Sequence, residues 1–552
     1  MLAFNSIDLP TLAAICLCIS AFLLYVAYPD RLVATNPRED LPGPKGVPLF
    51  GNLFQALAWR GRMLQWLKHL QDRYGPLCTF TFPPWGRGIL INRPEWLLHV
   101  KQGDNQIYSR GLVAIEIFTE FPGGRTTVAT EGAEWCLARK AIFPLFTSKS
   151  FTIHVSLAMN EIIPVARSLL LSASKKGVPV DWNELTGRIA TAIFMRSSLD
   201  ICITVLDGDV SCLENPDALS DALKILNETS SRRLFNPFWR ITELFTGENV
   251  RFRQSRSYVR TLVETIVHSR RADLTCGKTD VVHTDFLSGL LENPAYDDPI
   301  VIRDTLVAML FGGRENTQNA LSWALHALMG APEWMRRLRE EAASMRQRST
   351  EMQYNDLATY HVHLAVFYET VRLWPGLPKN ARLALCDDVL PAVPERNLPA
   401  VKVEKGDYVF WSDYHMMRSE DIWGPTAGDF DPGRHLNEEG HFVKPTLPDF
   451  VGFGAGPRLW QVKHPAAPLV TYEFVACLAG ILPYFDFAPS MRTTADGKEY
   501  QKPKLAEAYT APLEGPLVVD VHVLEGVDLP VAGCEGRPST AMFCTADGMF
   551  HA

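Results

Sequence analysis

The chain has 552 residues, of which 47% are hydrophobic and 21% charged, a balance that can bury a core and that excludes wholesale disorder and any collagen-like or low-complexity protein. Lys and Arg number 54 against 62 Asp and Glu, a formal charge of −8, so no basic field marks nucleic acid as a partner. Eleven cysteines without a C-x-x-C pair describe neither a disulfide framework nor a zinc site, and most are expected to be reduced and buried.

Leu9 to Tyr28 carries no charged residue, and a helix of this run at ~1.5 Å per residue crosses a ~30 Å hydrocarbon layer. No Lys or Arg precedes it and no small-x-small cleavage site closes it, which favours an anchor over a signal peptide. Arg31, Arg38 and Lys45 follow the run and Asp8 precedes it, so the positive-inside bias leaves the body in the cytosol. Residues 1–30 are thus read as a transmembrane anchor. Residues 31–52 form a stiff elbow, in which Pro42, Pro44 and Pro48 fix φ and remove donors.

No repeat and no Gly/Ser-rich linker interrupts the chain from about 60 to 500, so residues 53–523 are expected to form one mainly helical body with a small β-sheet. Strands are expected at Leu77 to Phe82, Gly88 to Asn92, Val401 to Val403 and Tyr408 to Trp411, where β-branched and aromatic residues sit between Gly and Pro punctuation. Pro332 to Arg348 opens with a first-turn proline and continues as a solvated amphipathic helix. Residues 524–552 show neither a period nor a core face and read as an unstructured tail.

Trp135 and Arg139 lie one helical turn apart and offer an indole N–H and a guanidinium, a pair able to grip a planar dicarboxylate, although most such pairs are structural. In Val301 to Leu328 a long apolar helical pattern contains Gly312-Gly313, each costing about 1 kcal/mol against Ala in a helix interior. A locally opened turn with close backbone access is one use that would offset this cost. Glu315, Asn316 and Thr317 supply an acid, an amide and a hydroxyl beside it, able to pass protons through water. Further on, Glu369 and Arg372 stand three apart on a helix whose apolar stripe includes Leu364, Phe367 and Val371, and Arg434 could add a second guanidinium to a buried cluster.

Taken together and in order, Pro42-Gly43-Pro44, Trp135/Arg139, Gly312-Gly313-x-Glu315-x-Thr317, Glu369/Arg372, the segment ending at Arg434, and Phe453-Gly454-Ala455-Gly456-Pro457-Arg458 resemble the membrane-bound cytochromes P450 over residues 40 to 515. Asp387 to Pro391 and Asp421 to Gly424 resemble the fungal and plant branch acting on fatty acids and alkanes. The resemblance implies a P450 fold holding haem and a monooxygenase inserting one oxygen atom of O2 into an apolar, long-chain substrate. It implies electrons from NADPH through the flavin-containing NADPH-cytochrome P450 reductase, and a single-pass protein of the endoplasmic reticulum membrane facing the cytosol. It assigns Trp135, Arg139, Arg382 and Arg458 to the haem propionates, Gly312, Gly313, Phe453 and Gly456 to the haem pocket, and Glu369, Arg372 and Arg434 to the core behind the haem loop. The proton-delivering acid and hydroxyl fall on Glu315 and Asn316, so the hydroxyl comes one residue late, at Thr317: either Thr317 acts there through a shifted bulge, or protonation is slower and leakier, since an amide does not readily give up a proton.

One position departs from the family. The iron-ligating cysteine two residues after Arg458 is Trp460, whose indole has an N–H and no lone pair for iron. The family's later Glu would be Glu473, four residues beyond its usual offset. Three readings follow: a retained intron or gene-reading fault across Trp460 to Thr471, a catalytically silent relative that has lost its thiolate, or a substitute imidazole ligand at His464.

Overall fold

The computed structural model describes residues 9–27, 38–47, 50–82, 85–104, 106–203, 205–236, 238–276, 285–347, 352–454, 466–491, 502–527, 529–530, 543–544 and 550–551. In chain order the main helices are α1 (Leu9–Ala27), α2 (Gly132–Ile142), α3 (Ser156–Lys176), α4 (Trp182–Leu199), α5 (Ala218–Leu234), α6 (Trp239–Thr246), α7 (Glu248–Cys276), α8 (Pro299–Met329), α9 (Pro332–Arg346), α10 (His361–Leu373) and α11 (Ala466–Ile481). The strands are β1 (Leu77–Phe82), β2 (Gly86–Ile91), β3 (Tyr108–Ser109), β4 (Val180–Asp181), β5 (Asn380–Ala384), β6 (Asp388–Leu390), β7 (Val401–Val403), β8 (Tyr408–Trp411), β9 (Phe485–Pro489) and β10 (Val518–Val523). The architecture is mainly α with small sheets.

The chain divides into two compact units: Met1–Val113 with Arg232–Trp239 and Lys379–Ser412, and Ala114–Ser231 with Arg240–Pro378 and Asp413–Ala552. No linker is visible in the sequence because the boundary is crossed repeatedly between ordered segments.

The first unit is built on a five-stranded sheet of order β1-β2-β8-β5-β3, in which β2 and β8 run parallel and the other pairs antiparallel. Phe80 and Phe410 would both collide with a Cβ at Gly88, which is why a glycine stands inside β2 there. The proline-rich elbow lies along the sheet edge, where proline's missing donor is tolerated: Thr79 N donates to Pro42 O at 2.8 Å, and Asn52 Oδ1 accepts from Thr81 N at 2.9 Å. A buried Arg87–Asp407 pair ties β2 to the turn before β8. Helix α1 contains no Asp, Glu, Lys or Arg and exposes Leu17, Ile19 and Phe22.

The second unit centres on α8. Asp298 caps its start, accepting from Ile300 N at 2.8 Å, with Pro299 in the first turn, and Gly330 closes it. Helix α4 packs along it: Trp182 Nε1 donates to Leu321 O at 3.2 Å, and the hydroxyls of Thr186 and Ser322 meet at 3.0 Å. Small residues at the contact let the two backbones approach. A second sheet, β4-β10-β9, closes the side of this core. In the segment expected to be an unstructured tail, Phe543–Cys544 pairs with Phe550–His551 in a two-residue ladder.

Candidate functional site

Helix α8 is buried along most of its 31 residues, but Ala308, Met309, Gly312, Gly313 and Asn316 remain half-accessible. Their spacing of three and four residues puts them on one face. A Cβ at Gly312 would meet nothing within 4 Å, whereas one at Gly313 would approach Phe194 Cδ2 at 3.3 Å. This is a strip of open surface in the middle of a core helix, with the backbone accessible at its centre.

The opened turn expected at the two glycines is not formed: α8 runs as unbroken α-helix through them. In place of a bulge, Asn316 Nδ2 donates to Gly312 O at 2.8 Å, giving that carbonyl a side-chain partner. The consequence for the three polar residues is angular. Successive residues on a helix point ~100° apart, so only one of them faces the open strip, and it is Asn316. Glu315 is buried, with Oε1 2.6 Å from Arg314 Nη1 and Oε2 accepting from Asn227 Nδ2 at 3.2 Å. Asn227 is itself held by Thr510 and by the backbone N–H of Tyr509. Thr317 is fully buried and donates to Glu473 on α11. The shifted bulge that would bring Thr317 to the strip is therefore absent. Burial pushes the Glu473 carboxyl up to about 8, so it is predominantly protonated at neutral pH.

Glu369 and Arg372 form a dry ion pair on α10. Arg372 Nε and Nη2 reach Glu369 Oε2 and Oε1 at 2.7 and 2.8 Å; Nη1 donates to the carbonyls of Met417 and Ala427, and Nη2 also to Asp429 O. All five guanidinium hydrogens are thus used. Burial alone would raise the Glu369 carboxyl, but hydrogen bonds from Arg372, His435 and Asp431 N outweigh it and hold the group below the usual carboxylate range. Arg434 stands at the rim, its Nε 3.7 Å from Glu369 Oε1 and its other nitrogens on Trp423 O and Thr426. His435 Nε2, 3.2 Å from Glu369 Oε2, is a fourth member that the sequence reading missed. Its only signal was its place next to Arg434.

Helix α10 also meets the last described residues before 455. Phe453 packs on Phe367 at 6.0 Å and on Tyr368 at 5.6 Å between ring centroids, and a Cβ at Gly452 would strike Val371. On α2, the Arg139 guanidinium lies over the Trp135 ring at 4.8 Å, and burial pulls its pKa down. Arg382 has a different surrounding. In the first unit its Nε and Nη2 grip Asp104 at 2.8 and 3.1 Å and its Nη1 donates to Ala381 O. Gly456, Arg458, Trp460 and His464 fall within 455–465, outside the described residues. Cys477 is buried on α11, where burial pushes its thiol well up, and Cys386 is exposed.

With this geometry in view, the comparisons with known proteins give a consistent result. The Cytochrome P450 family model matches residues 41–459, ending one residue before Trp460. The chain is 30% identical over 517 residues to "Cytochrome P450 monooxygenase cyp1" of Mycosarcoma maydis, covering 90% of this chain and 78% of that protein. It is 25% identical over 530 residues to "Cytochrome P450 94B1" of Arabidopsis thaliana, covering 92% and 97%. "Cytochrome P450 704C1" of Pinus taeda is 25% identical over 435 residues, covering 72% and 79%. The chain belongs to the cytochrome P450 family.

The family implies a haem. The open strip on α8, with no atom near a Cβ at Gly312, fits the flat face of a porphyrin, and the Trp135/Arg139 pair has the donors a propionate takes. The iron finds no such match: the stretch from Val451 to Pro465 contains no cysteine, and Trp460 brings no lone pair.

Proposed function

We propose that this chain is a haem-dependent monooxygenase of apolar, long-chain substrates, anchored in the endoplasmic reticulum membrane by α1 and reduced with NADPH electrons by a membrane-bound flavin reductase. The observation that carries this reading is the half-accessible strip at Ala308, Gly312 and Asn316 on an otherwise buried helix, in a chain of this family. Bound there, haem would supply the activation of dioxygen for insertion into a C–H bond. The chain's own residues would do the rest. Trp135 and Arg139, with Arg458, would bind the propionates, and Glu369, Arg372, Arg434 and His435 would hold the segment leading to the haem loop. Gly312 and Gly313 would admit the porphyrin, and Asn316 would orient water on the strip without giving up a proton, since an amide is not an acid. Membrane attachment is supported by the charge-free α1 and by Ile241, Leu244 and Phe245 exposed on α6.

Trp460 favours a second reading: a silent relative that keeps the slot and the lipid site without oxygen chemistry. The two separate in one experiment. The reduced protein is exposed to carbon monoxide, as encoded and as Trp460→Cys. A thiolate-type Soret band in the encoded protein supports the monooxygenase; a band only in Trp460→Cys supports the silent relative with an intact slot; no haem retained by either protein removes both. Transcript reads across the region encoding Arg458 to Glu473 test whether Trp460 to Thr471 is translated at all.

A further inference from the structure

Asn227 of α5 ties two other segments together through its side-chain amide. Its Nδ2 donates to Glu315 Oε2 at 3.2 Å and to Thr510 Oγ1 at 2.7 Å, and its Oδ1 accepts from Tyr509 N at 2.9 Å and from Thr510 N at 3.3 Å. Both protons and both lone pairs of the buried amide are used. The two backbone N–H groups of the turn fix which end is oxygen, so the donor end must face Glu315. An Asp at 227 would set carboxylate against carboxylate, and a Leu would bring neither donor nor acceptor.

The other partner of the Glu315 carboxyl sits on its own helix. Arg314 Nη1 reaches Oε1 at 2.6 Å, and the same guanidinium donates through Nη2 to Ser220 on α5. A Cβ at Gly187 of α4 would come within 2.8 Å of Arg314 Nη2, so a glycine there makes room for the guanidinium. The turn at 509–510 is fastened to α8 as well, because Trp323 Nε1 donates to Ala511 O at 2.9 Å. Of the two groups that hold the Glu315 carboxyl, only Asn227 comes from outside α8.

Glu315 follows Gly312 by three residues and Ala308 by seven, so its Cβ leaves α8 at the border of the open strip. Thr317 leaves from the opposite side. Rotation about the side-chain bonds of Glu315 would therefore carry its carboxyl onto the strip beside Asn316, with no bulge in α8.

We infer that Asn227 is a positioning residue for Glu315: its amide keeps the carboxyl against Arg314 and off the strip while α5 is docked, and withdrawal of α5 lets the carboxyl swing onto the strip. This rests on the monooxygenase reading above and adds to it what controls the acid. With Asn227 in place the strip presents an amide and no acid. With the amide withdrawn, a carboxyl stands beside the water that Asn316 would orient, where it can pass a proton.

The test is carboxyl labelling of the purified full-length protein with a water-soluble carbodiimide and glycine amide, read residue by residue by peptide mass spectrometry. Exposed Glu333 and buried Glu369 serve as internal references. In the wild type Glu315 is expected to label far more slowly than Glu333. Asn227→Leu removes the amide; Asn227→Asp keeps the bonds from the turn and turns attraction for Glu315 into repulsion. In both, Glu315 is expected to label about tenfold faster than in the wild type, the loss of one hydrogen bond to a charged group, while Glu369 stays protected. A merely structural loosening would expose both carboxyls together. Wild-type Glu315 labelling as fast as Glu333 overturns the proposal, and needs no variant to fold. So does either variant with a native melting profile in which Glu315 stays as protected as in the wild type, or one in which Glu315 and Glu369 are exposed equally. The labelling needs neither haem nor turnover, so its failure removes the role of Asn227 and leaves the monooxygenase reading to the carbon monoxide experiment.

Discussion

The hydroxyl of Thr317 donates to the carboxyl of Glu473, joining the central helix α8 to α11 through a contact that excludes water. Burial raises the Glu473 carboxyl from 4.5 to about 8. The unfolded chain therefore releases this proton between about pH 4.5 and about pH 8 while the folded protein keeps it, and stability falls through that window as pH rises. Glu473→Gln keeps a neutral acceptor of the same shape and removes this dependence. Its melting temperature is expected to match that of the wild type near pH 5 and to exceed it near pH 8, by the equivalent of about 1–3 kcal/mol. Parallel melting curves across the range would refute the assignment.

Arg372 and Arg434 both approach Glu369, at very different depths. Arg372 is fully buried with five hydrogen bonds; Arg434 is at the rim, 3.7 Å away. Arg372→Lys keeps the charge but cannot reproduce the planar fork, and should cost about 3–5 kcal/mol. Arg434→Lys should cost less than about 1 kcal/mol. Urea titrations of the two variants measure the difference, and similar losses would contradict the two-level cluster.

Gly312 and Gly313 are adjacent but not equivalent. Gly312→Ala adds a methyl to open space in a helix and should stabilise the haem-free protein by about 0.5–1 kcal/mol. Gly313→Ala meets the Phe194 ring and should gain less or lose stability. The methyl at 312 projects onto the strip, so the same variant should retain less haem on purification. A Gly312→Ala protein with more stability and undiminished haem would place the porphyrin elsewhere.

Helix α1 is 19 residues long and without charge, ~28 Å at helical rise. Removing residues 1–30 should move the protein from the membrane pellet toward the soluble fraction. The apolar residues exposed on α6 should leave part of it salt-resistant on vesicles. Complete retention in the pellet after carbonate extraction would assign anchoring to another segment.

Local chemistry made much of the fold readable. Leu77–Phe82, Val401–Val403 and Tyr408–Trp411 are strands over the expected bounds because β-branched and aromatic residues end there at Gly or Pro, while β2 begins two residues earlier than its composition suggests, at Gly86. Strands β4 and β10 pair residues more than 300 positions apart, Asp181 with Val518, and carry no local signal that they belong together. In the site, the spacing of Glu369 and Arg372 shows an i,i+3 pair. It does not show that Arg434 and His435 return to it more than 60 residues later, since that depends on how the intervening chain packs. The two glycines of α8 suggested a bulge from their cost alone; the side chain of Asn316, folded onto Gly312 O, was the missing term. Glu473 had no local mark, because its dry environment is assembled from two helices.

The first sheet also sets a timetable. Strand β8 pairs with both β2 and β5, so the sheet's middle position belongs to the strand made last. A ribosome finishes β2 at Ile91 and has over 300 residues to go before Trp411 emerges, roughly 15–60 s at ordinary translation speed. Through that interval Gly88, Ile89 and Leu90 lack their neighbours Tyr408, Val409 and Phe410, and the nascent chain carries a bare hydrophobic strand that chaperones must cover.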